Sequence, residues 1–253
     1  MLLPTPAPSV DAAALYTAGP RRPVGGRPWV LANMISTVDG SSTDTHGRSG
    51  GLGSEADRDV LIAVRAVADI VIAGAGTVRA ENYGPARVPA DLQAQRAARG
   101  QAPRPRIAVV SASLRLEPTM RLFQESSDER PLIVTVDSAD ADARRRLEPV
   151  ADMIVAGDER VDWHRALTAL RQDAGAGVVV VEGGPIVNGQ LVADDLVDEL
   201  CLTLAPALAG GDAARVVHGA IPDASRPLRL AHALEADGYL LLRYLVDHPS
   251  GAS

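Results

Sequence analysis

The chain has 253 residues, enough for one large α/β domain or two small ones. Its net charge of −7 argues against non-specific nucleic-acid binding, and its one cysteine, Cys201, excludes an internal disulfide and any cysteine-based metal cluster. No apolar run approaches the roughly 20 residues of a membrane span, and the N-terminus lacks a basic region followed by an apolar core, so a cytoplasmic protein is expected.

Residues 1–27 are rich in Pro, Ala and Gly and read as an extension that wanders over the surface or is partly disordered, with a helical turn at Asp11–Tyr16. A single domain is expected over 28–253. It starts with a strand at Pro28–Ser36. A polar, Gly-rich loop follows Thr37-Val38-Asp39-Gly40 through Gly53. A loop of that length is usually functional or mobile. Ser54 caps a helix at Asp57–Ala68. Asp69–Ala73 is a short strand ending in a second Gly-rich turn, Gly74-Ala75-Gly76-Thr77, and a polar loop at Arg79–Pro85. Residues 89–100 read as a basic helix. Strands are expected at 106–110, 131–136 and 152–156, with helices at 138–147 (Ser138 as cap) and 162–173. Arg144-Arg145-Arg146 reads as a solvated face.

The pattern is densest at Val178-Val179-Val180-Val181-Glu182-Gly183-Gly184-Pro185. Four valines predict a strand buried on both faces. It ends on an acid, followed by two glycines and a proline suited to the first turn of a helix over 185–193. Glycines admit a ligand to the backbone, and a helix start offers free N–H groups to an anion. The corner therefore reads either as a phosphate site with a carboxylate beside it or as a tight turn with a solvated Glu. A strand at 197–206 follows. Strands at 228–236 and 239–246 are joined by Asp237-Gly238, a strong hairpin signal. The alternation predicts an α/β fold, a mainly parallel sheet flanked by helices and completed by an antiparallel C-terminal edge.

Several chemistries are missing. His46, His164, His218, His232 and His248 are scattered, so no paired-His metal site is expected. There is no P-loop and no nucleophile elbow, and Gly74-x-Gly76 lacks the third glycine of the Rossmann fingerprint. What remains is a set of strand ends bearing Gly, Ser/Thr and single acids, the edge at which open α/β sheets bind ligands.

Ser36-Thr37-Val38-Asp39-Gly40, Ser49, Arg65-Ala66, Gly76-Thr77-Val78, Glu182-Gly183-Gly184-Pro185 and Asp198-Glu199-Leu200 occur in an order that resembles the C-terminal reductase domain of bacterial riboflavin biosynthesis (RibD C-terminal-domain-like). The resemblance covers about residues 28–246 and implies a dihydrofolate-reductase-like fold. It implies reduction of the ribose of 5-amino-6-(5-phosphoribosylamino)uracil to the ribitylamino form with NADPH, and a homodimer. It places NADPH on Ile35, Gly74, Gly76, Thr77, Glu81, Gly183, Gly184, Pro185, Ile186, Val187 and Asn188. It places the phosphorylated substrate on Asn33, Ser49, Arg65 and Glu182.

Asp39 is expected to be the acid that protonates or polarises the imine nitrogen; its alternative is a turn former in Asp-Gly. Arg65 alternatively pairs with Asp69 one helical turn on. The chain departs from the family at Asn33 (often Lys), Gly51 (often Trp) and Glu81-Asn82-Tyr83 (usually Asp-Asp-Pro), and the Arg expected next falls near Arg87. These departures leave open dihydrofolate or another pteridine or pyrimidine as substrate, or a non-catalytic NADP-binding protein. The zinc-deaminase half that many family members carry has no counterpart in the motifs.

Overall fold

The computed structural model describes residues 2, 5–126, 129–219 and 225–247. The readings at Met1, Leu3, Pro4 and His248, and the last six residues of the expected domain, lie outside the described residues. The first elements are α1 (Ala12–Thr17), β1 (Trp29–Thr37), α2 (Glu55–Val67), β2 (Ile70–Gly74), α3 (Ala75–Ala80) and α4 (Ala90–Ala98). Then come β3 (Arg106–Val110), α5 (Arg121–Glu125), β4 (Leu132–Thr135), α6 (Ala141–Leu147), β5 (Asp152–Val155) and α7 (Trp163–Gln172). The chain closes with β6 (Val178–Val181), α8 (Pro185–Ala193), β7 (Glu199–Ala205), β8 (Leu228–Ala236) and β9 (Tyr239–Val246).

The strands form one sheet in the order β5-β4-β3-β2-β6-β1-β7-β9-β8. The first seven in that order run parallel; β9 is antiparallel to both β7 and β8. The expected mostly parallel sheet with an antiparallel edge is therefore the observed one. Asp237 and Gly238 both take positive φ (52° and 82°), the conformation of a tight primed hairpin turn.

Strand side chains alternate between two buried layers. Leu31, Val71, Ala73 and Val180 pack with Val60 and Val64 of α2 and Leu147 of α6. Val30, Ala32, Ile70, Ile72, Val179 and Val181 pack with Trp163 and Leu167 of α7 and Leu191 of α8. The valines of β6 are thus divided between both layers. This parity carries beyond the core: Asn33, Ile35 and Glu182 continue the α2 layer and Met34 the α8 layer.

The N-terminal extension is tied to the domain at three points, α1, Arg21 and Arg27. α1 lies against α2, with Tyr16 buried in the first layer. Arg21 donates from Nε and Nη2 to Glu199 at 2.8 and 2.7 Å, and Arg27 forks onto Asp198 at 2.5 and 2.8 Å. Both carboxylates are buried on or next to β7, so these arginines staple the N-terminal segment to the sheet. Composition alone suggested a loose segment because nothing local reveals a partner some 170 residues away.

Three other local expectations change. Gly74-Ala75-Gly76-Thr77 is the start of α3, not a free turn. α6 is capped by Asp140, which accepts from Ala143 N, in place of Ser138. The Arg96 side chain of the expected basic helix is buried and donates to the carbonyls of Ala66, Ala68 and Ala102, satisfying the C-terminal end of α2.

His232 on β8 meets the Tyr16 ring edge-on, with centroids 4.7 Å apart. Its Nε2 is buried without a partner. Burial first, then the Arg243 charge, pushes its pKa down to about 4, with Glu199 and Arg21 also nearby. The unfolded value is about 6.5, so the unfolded chain binds more protons between the two. Stability is complete above pH ~6.5 and falls as the pH drops toward 4, by about 2 kcal/mol from this group. Urea unfolding at pH 7.0, 5.5 and 4.5 should show a steeper loss for the wild type than for His232→Gln; parallel loss would overturn the assignment.

Candidate active site

The carboxyl ends of β2, β6 and β1 converge where Gly-rich backbone lets them approach. Gly74 N donates to Gly183 O at 2.7 Å, and a Cβ at Gly74 would lie 3.3 Å from Gly184 N and from Val187 Cγ2. Gly183 has φ +91°, and the Gly183–Gly184 peptide is cis. Gly74 and Gly183 are therefore needed to join two strand tips. Gly184 is the N-cap of α8 and Pro185 its first residue, with no side-chain cap. The first-turn N–H groups of α8 are left for a ligand.

Two cavities share this corner. The larger is a cleft of about 390 Å³ lined by Gly74, Gly76, Thr77, Glu81, Gly184, Pro185, Ile186 and Val187, with Ser42, Thr43, Gly47 and Ala214 on its far wall. That wall is tied together: Ser42 N and Oγ both donate to Ala214 O. The smaller cavity, about 130 Å³, is lined by Asn33, Ile35, Gly50, Asp57, Leu61 and Tyr83. Met34, Ser49 and Glu182 line both.

Most residues expected on the cofactor side therefore line one cleft. Ile35 does not: strand parity turns it into the small cavity. Nor does Asn188, whose buried Nδ2 donates to Val216 O at 2.8 Å. Gly183 acts through its backbone. Glu81 lines the cleft while accepting from Ser49 N and Oγ at 3.1 and 3.0 Å, which pins the 37–53 loop to α3.

On the substrate side, Arg65 forks onto Glu182, Nε to Oε1 at 2.6 Å and Nη2 to Oε2 at 2.7 Å. It does not pair with Asp69, which accepts from Gly177 N and Val178 N and fixes the start of β6. Burial alone would lower the Arg65 pKa, but the Glu182 carboxylate against it holds it above its ordinary value. Tyr83, absent from the expected site, donates its hydroxyl to Glu182 Oε2 at 2.6 Å and presents its ring 5.8 Å from the Arg65 guanidinium. Burial, then the Glu182 charge, raises its pKa well above 10, so it stays a donor. In the sequence Tyr83 stands out only as a departure from the family pattern, since its partner Glu182 lies 99 residues away.

Asp39 is corrected. Its carboxylate accepts from the Thr37 hydroxyl and from Ala209 N and Gly210 N (2.7 Å), and it lines neither cavity. The Thr37 hydroxyl and these N–H groups hold it at about 2, ionised at neutral pH and unsuited to give a proton. The turn reading fits: Gly40 N closes onto Thr37 O at 3.0 Å with φ +94° at Gly40, and Asp39 fastens the 207–210 segment to the end of β1.

The family model described as the RibD C-terminal domain matches residues 28–241. The chain belongs to the RibD C-terminal domain family. Family relatives include the 2,5-diamino-6-ribosylamino-4(3H)-pyrimidinone 5′-phosphate reductases of Methanothermobacter thermautotrophicus and Archaeoglobus fulgidus. The first is 30% identical over 76% of this chain and 83% of the relative. The second is 29% identical over 73% and 83%. A pyrimidine reductase-like protein from Corynebacterium diphtheriae superposes with a TM-score of 0.78 at 29% identity, covering 87% of this chain and 92% of the other. Acinetobacter baumannii RibD, at 19% identity and TM-score 0.72 over 88% and 59%, shares the fold. Among the described residues no helix is long and apolar enough to cross a membrane.

Proposed function

We propose that the chain is an NADPH-dependent reductase of riboflavin biosynthesis that converts the ribosylamino group of a pyrimidine 5′-phosphate to a ribitylamino group. One observation carries the reading: a helix-start cleft and a small cavity bearing Asn33, Asp57 and Tyr83 share Met34, Ser49 and Glu182 at the strand tips. The uncapped start of α8 suits a pyrophosphate, and Gly76, where a Cβ would meet no protein atom within 4 Å, leaves the cleft open beside it. Thr77, Gly184, Ile186 and Val187 would hold NADPH, which when bound supplies the hydride.

The chain's own groups do the rest. Arg65 and Tyr83 fix the Glu182 carboxylate at the junction of the two cavities, where it orients a substrate ring. Asn33 offers an amide to the substrate from the lining of the small cavity. The 37–53 loop, pinned through Ser49 and Ser42, covers the cleft against water. The relatives' names favour the diaminopyrimidinone over the deaminated uracil expected from the sequence. A homodimer through the apolar β8–β9 edge belongs to the same reading, and sedimentation velocity checks it.

The deciding assay follows NADPH absorbance with the diaminopyrimidinone phosphate, the uracil phosphate and dihydrofolate in parallel. Oxidation with a ribosylaminopyrimidine, and none with dihydrofolate, is expected. Oxidation with dihydrofolate alone overturns the substrate, and tight NADPH binding without oxidation of any overturns the enzyme.

A further inference from the structure

Three carboxylates line the two cavities among the described residues, and two of them are committed. Glu182 is neutralised by Arg65 and bonded by Tyr83, and Glu81 is held by Ser49. The third, Asp57, stands differently. It lies in the first turn of α2, its backbone N–H donating to the Ser54 cap, and it lines the small cavity. A Cβ at Gly53 would come within 2.9 Å of Asp57 Oδ2, so the glycine leaves room for the carboxyl. The Thr203 hydroxyl on β7, in register with Ile35 and on the same face of the sheet, stands beside its carboxyl.

We propose that Asp57 is the catalytic acid of this reductase, giving its proton to the ribose ring oxygen of a substrate held in the small cavity. The assignment rests on the reading above. The C1–O bond of the furanose breaks and its electron pair goes to oxygen, which takes the Asp57 proton. The exocyclic nitrogen lone pair forms the C=N bond, leaving an open-chain iminium and an Asp57 carboxylate. Hydride then adds to C1, the C=N pair returns to nitrogen, and the substrate carbon is reduced by two electrons at the expense of the nicotinamide. Asp57 regains its proton from water, so each turnover consumes one hydride and one proton.

The surroundings suit an acid. Burial raises the Asp57 pKa above the usual carboxylate value despite the Thr203 hydroxyl, and the nearby cation, Arg58, offsets this only in part. The other titratable groups facing it are Tyr16 from α1, Tyr83 from the 81–85 loop and the mutually compensated Arg65–Glu182 pair. The cavity has room for about four waters, hence for one sugar or pyrimidine ring.

The test compares wild type, Asp57→Asn and Asp57→Ser by turnover across pH and by 13C NMR titration of aspartate carboxyls. Asparagine keeps a partner for Thr203, so the fold is retained. Wild-type kcat is expected to fall as pH rises through the Asp57 pKa. Asp57→Asn should lower kcat by about 10²-fold or more, lose that limb, and keep NADPH affinity within about twofold. One carboxyl resonance titrating above the ordinary aspartate range should vanish in both variants. A wild type active on the pyrimidine whose rate and pH profile survive Asp57→Asn overturns Asp57 and leaves the reductase reading standing. A carboxyl titrating in the ordinary range overturns it too. A wild type inactive on the pyrimidine overturns the reading and this assignment with it.

Discussion

Glu199→Ala is expected to remove about 3–5 kcal/mol of stability, a large part of the 5–15 kcal/mol that holds an ordinary domain together. The Glu199 side chain is 0% exposed and is the acceptor for Arg21, for Arg243 Nε at 2.7 Å and for Trp29 Nε1 at 3.1 Å. Burial alone would raise its pKa, but the two guanidinium groups outweigh burial and lower it. Removing it strands two cations, one 3% and one 11% exposed, whose ion pairs among the described residues are both with Glu199. The loss should be read by urea unfolding. Limited proteolysis should show new cleavage at residues 18–27, since Arg21 loses its anchor. A loss under about 1 kcal/mol would mean that the guanidinium groups find water or carbonyl partners instead, Ala18 O being in reach of both.

Gly184→Val should abolish or strongly weaken NADPH binding while leaving the fold intact. A Cβ at Gly184 would lie 3.0 Å from Thr77 Oγ1, tight but movable, and the added methyls have only the cleft to occupy. Overpacking of about 1–3 kcal/mol corresponds to roughly 5- to 150-fold in affinity. Gly76→Ala is the complementary variant. It meets no protein atom within 4 Å and replaces a helical glycine, so the folded protein should gain stability, by about 0.5–1 kcal/mol. Any loss of NADPH affinity in that variant reports the ligand's own approach to α3. Fluorescence titration with NADPH, alongside thermal unfolding, checks both; unchanged affinity in both variants would move the cofactor out of this cleft.

Much of the architecture was legible because it is written locally. The valines of β6, the Gly-Gly-Pro start of α8 and the Asp237-Gly238 turn each state their structure within a few residues. The cleft was legible through the resemblance, since its glycines and Thr77 sit in short motifs. What escaped depends on partners distant in the chain. Arg65 finds Glu182 across 117 residues of sequence, where the helical neighbour Asp69 was an equally cheap local partner. Asp39 looked catalytic because it ends β1 beside the site, yet the 209–210 backbone turns its carboxylate away from both cavities. Ile35 changed cavities because strand parity alone decides which layer a residue joins. Asp57 looked like an ordinary acid in a helix's first turn, and only the packing of α2 over β7 gives it a cavity.

The sheet order bears on how the molecule is made. β1 ends at residue 37 but lies between β6, which begins at residue 178, and β7. On a ribosome, β1 therefore spends on the order of ten seconds without either neighbour. Strands β2–β5 have one another by residue 155, with β2 still lacking its neighbour β6, and can assemble meanwhile. During that interval Val30 and Leu31 sit on an unpaired edge, open to aggregation or to a holding chaperone. Closure of the strand-tip corner, where Gly74 meets Gly183, is thus a late event in synthesis, and chains arrested before residue 205 present the sheet without its centre complete.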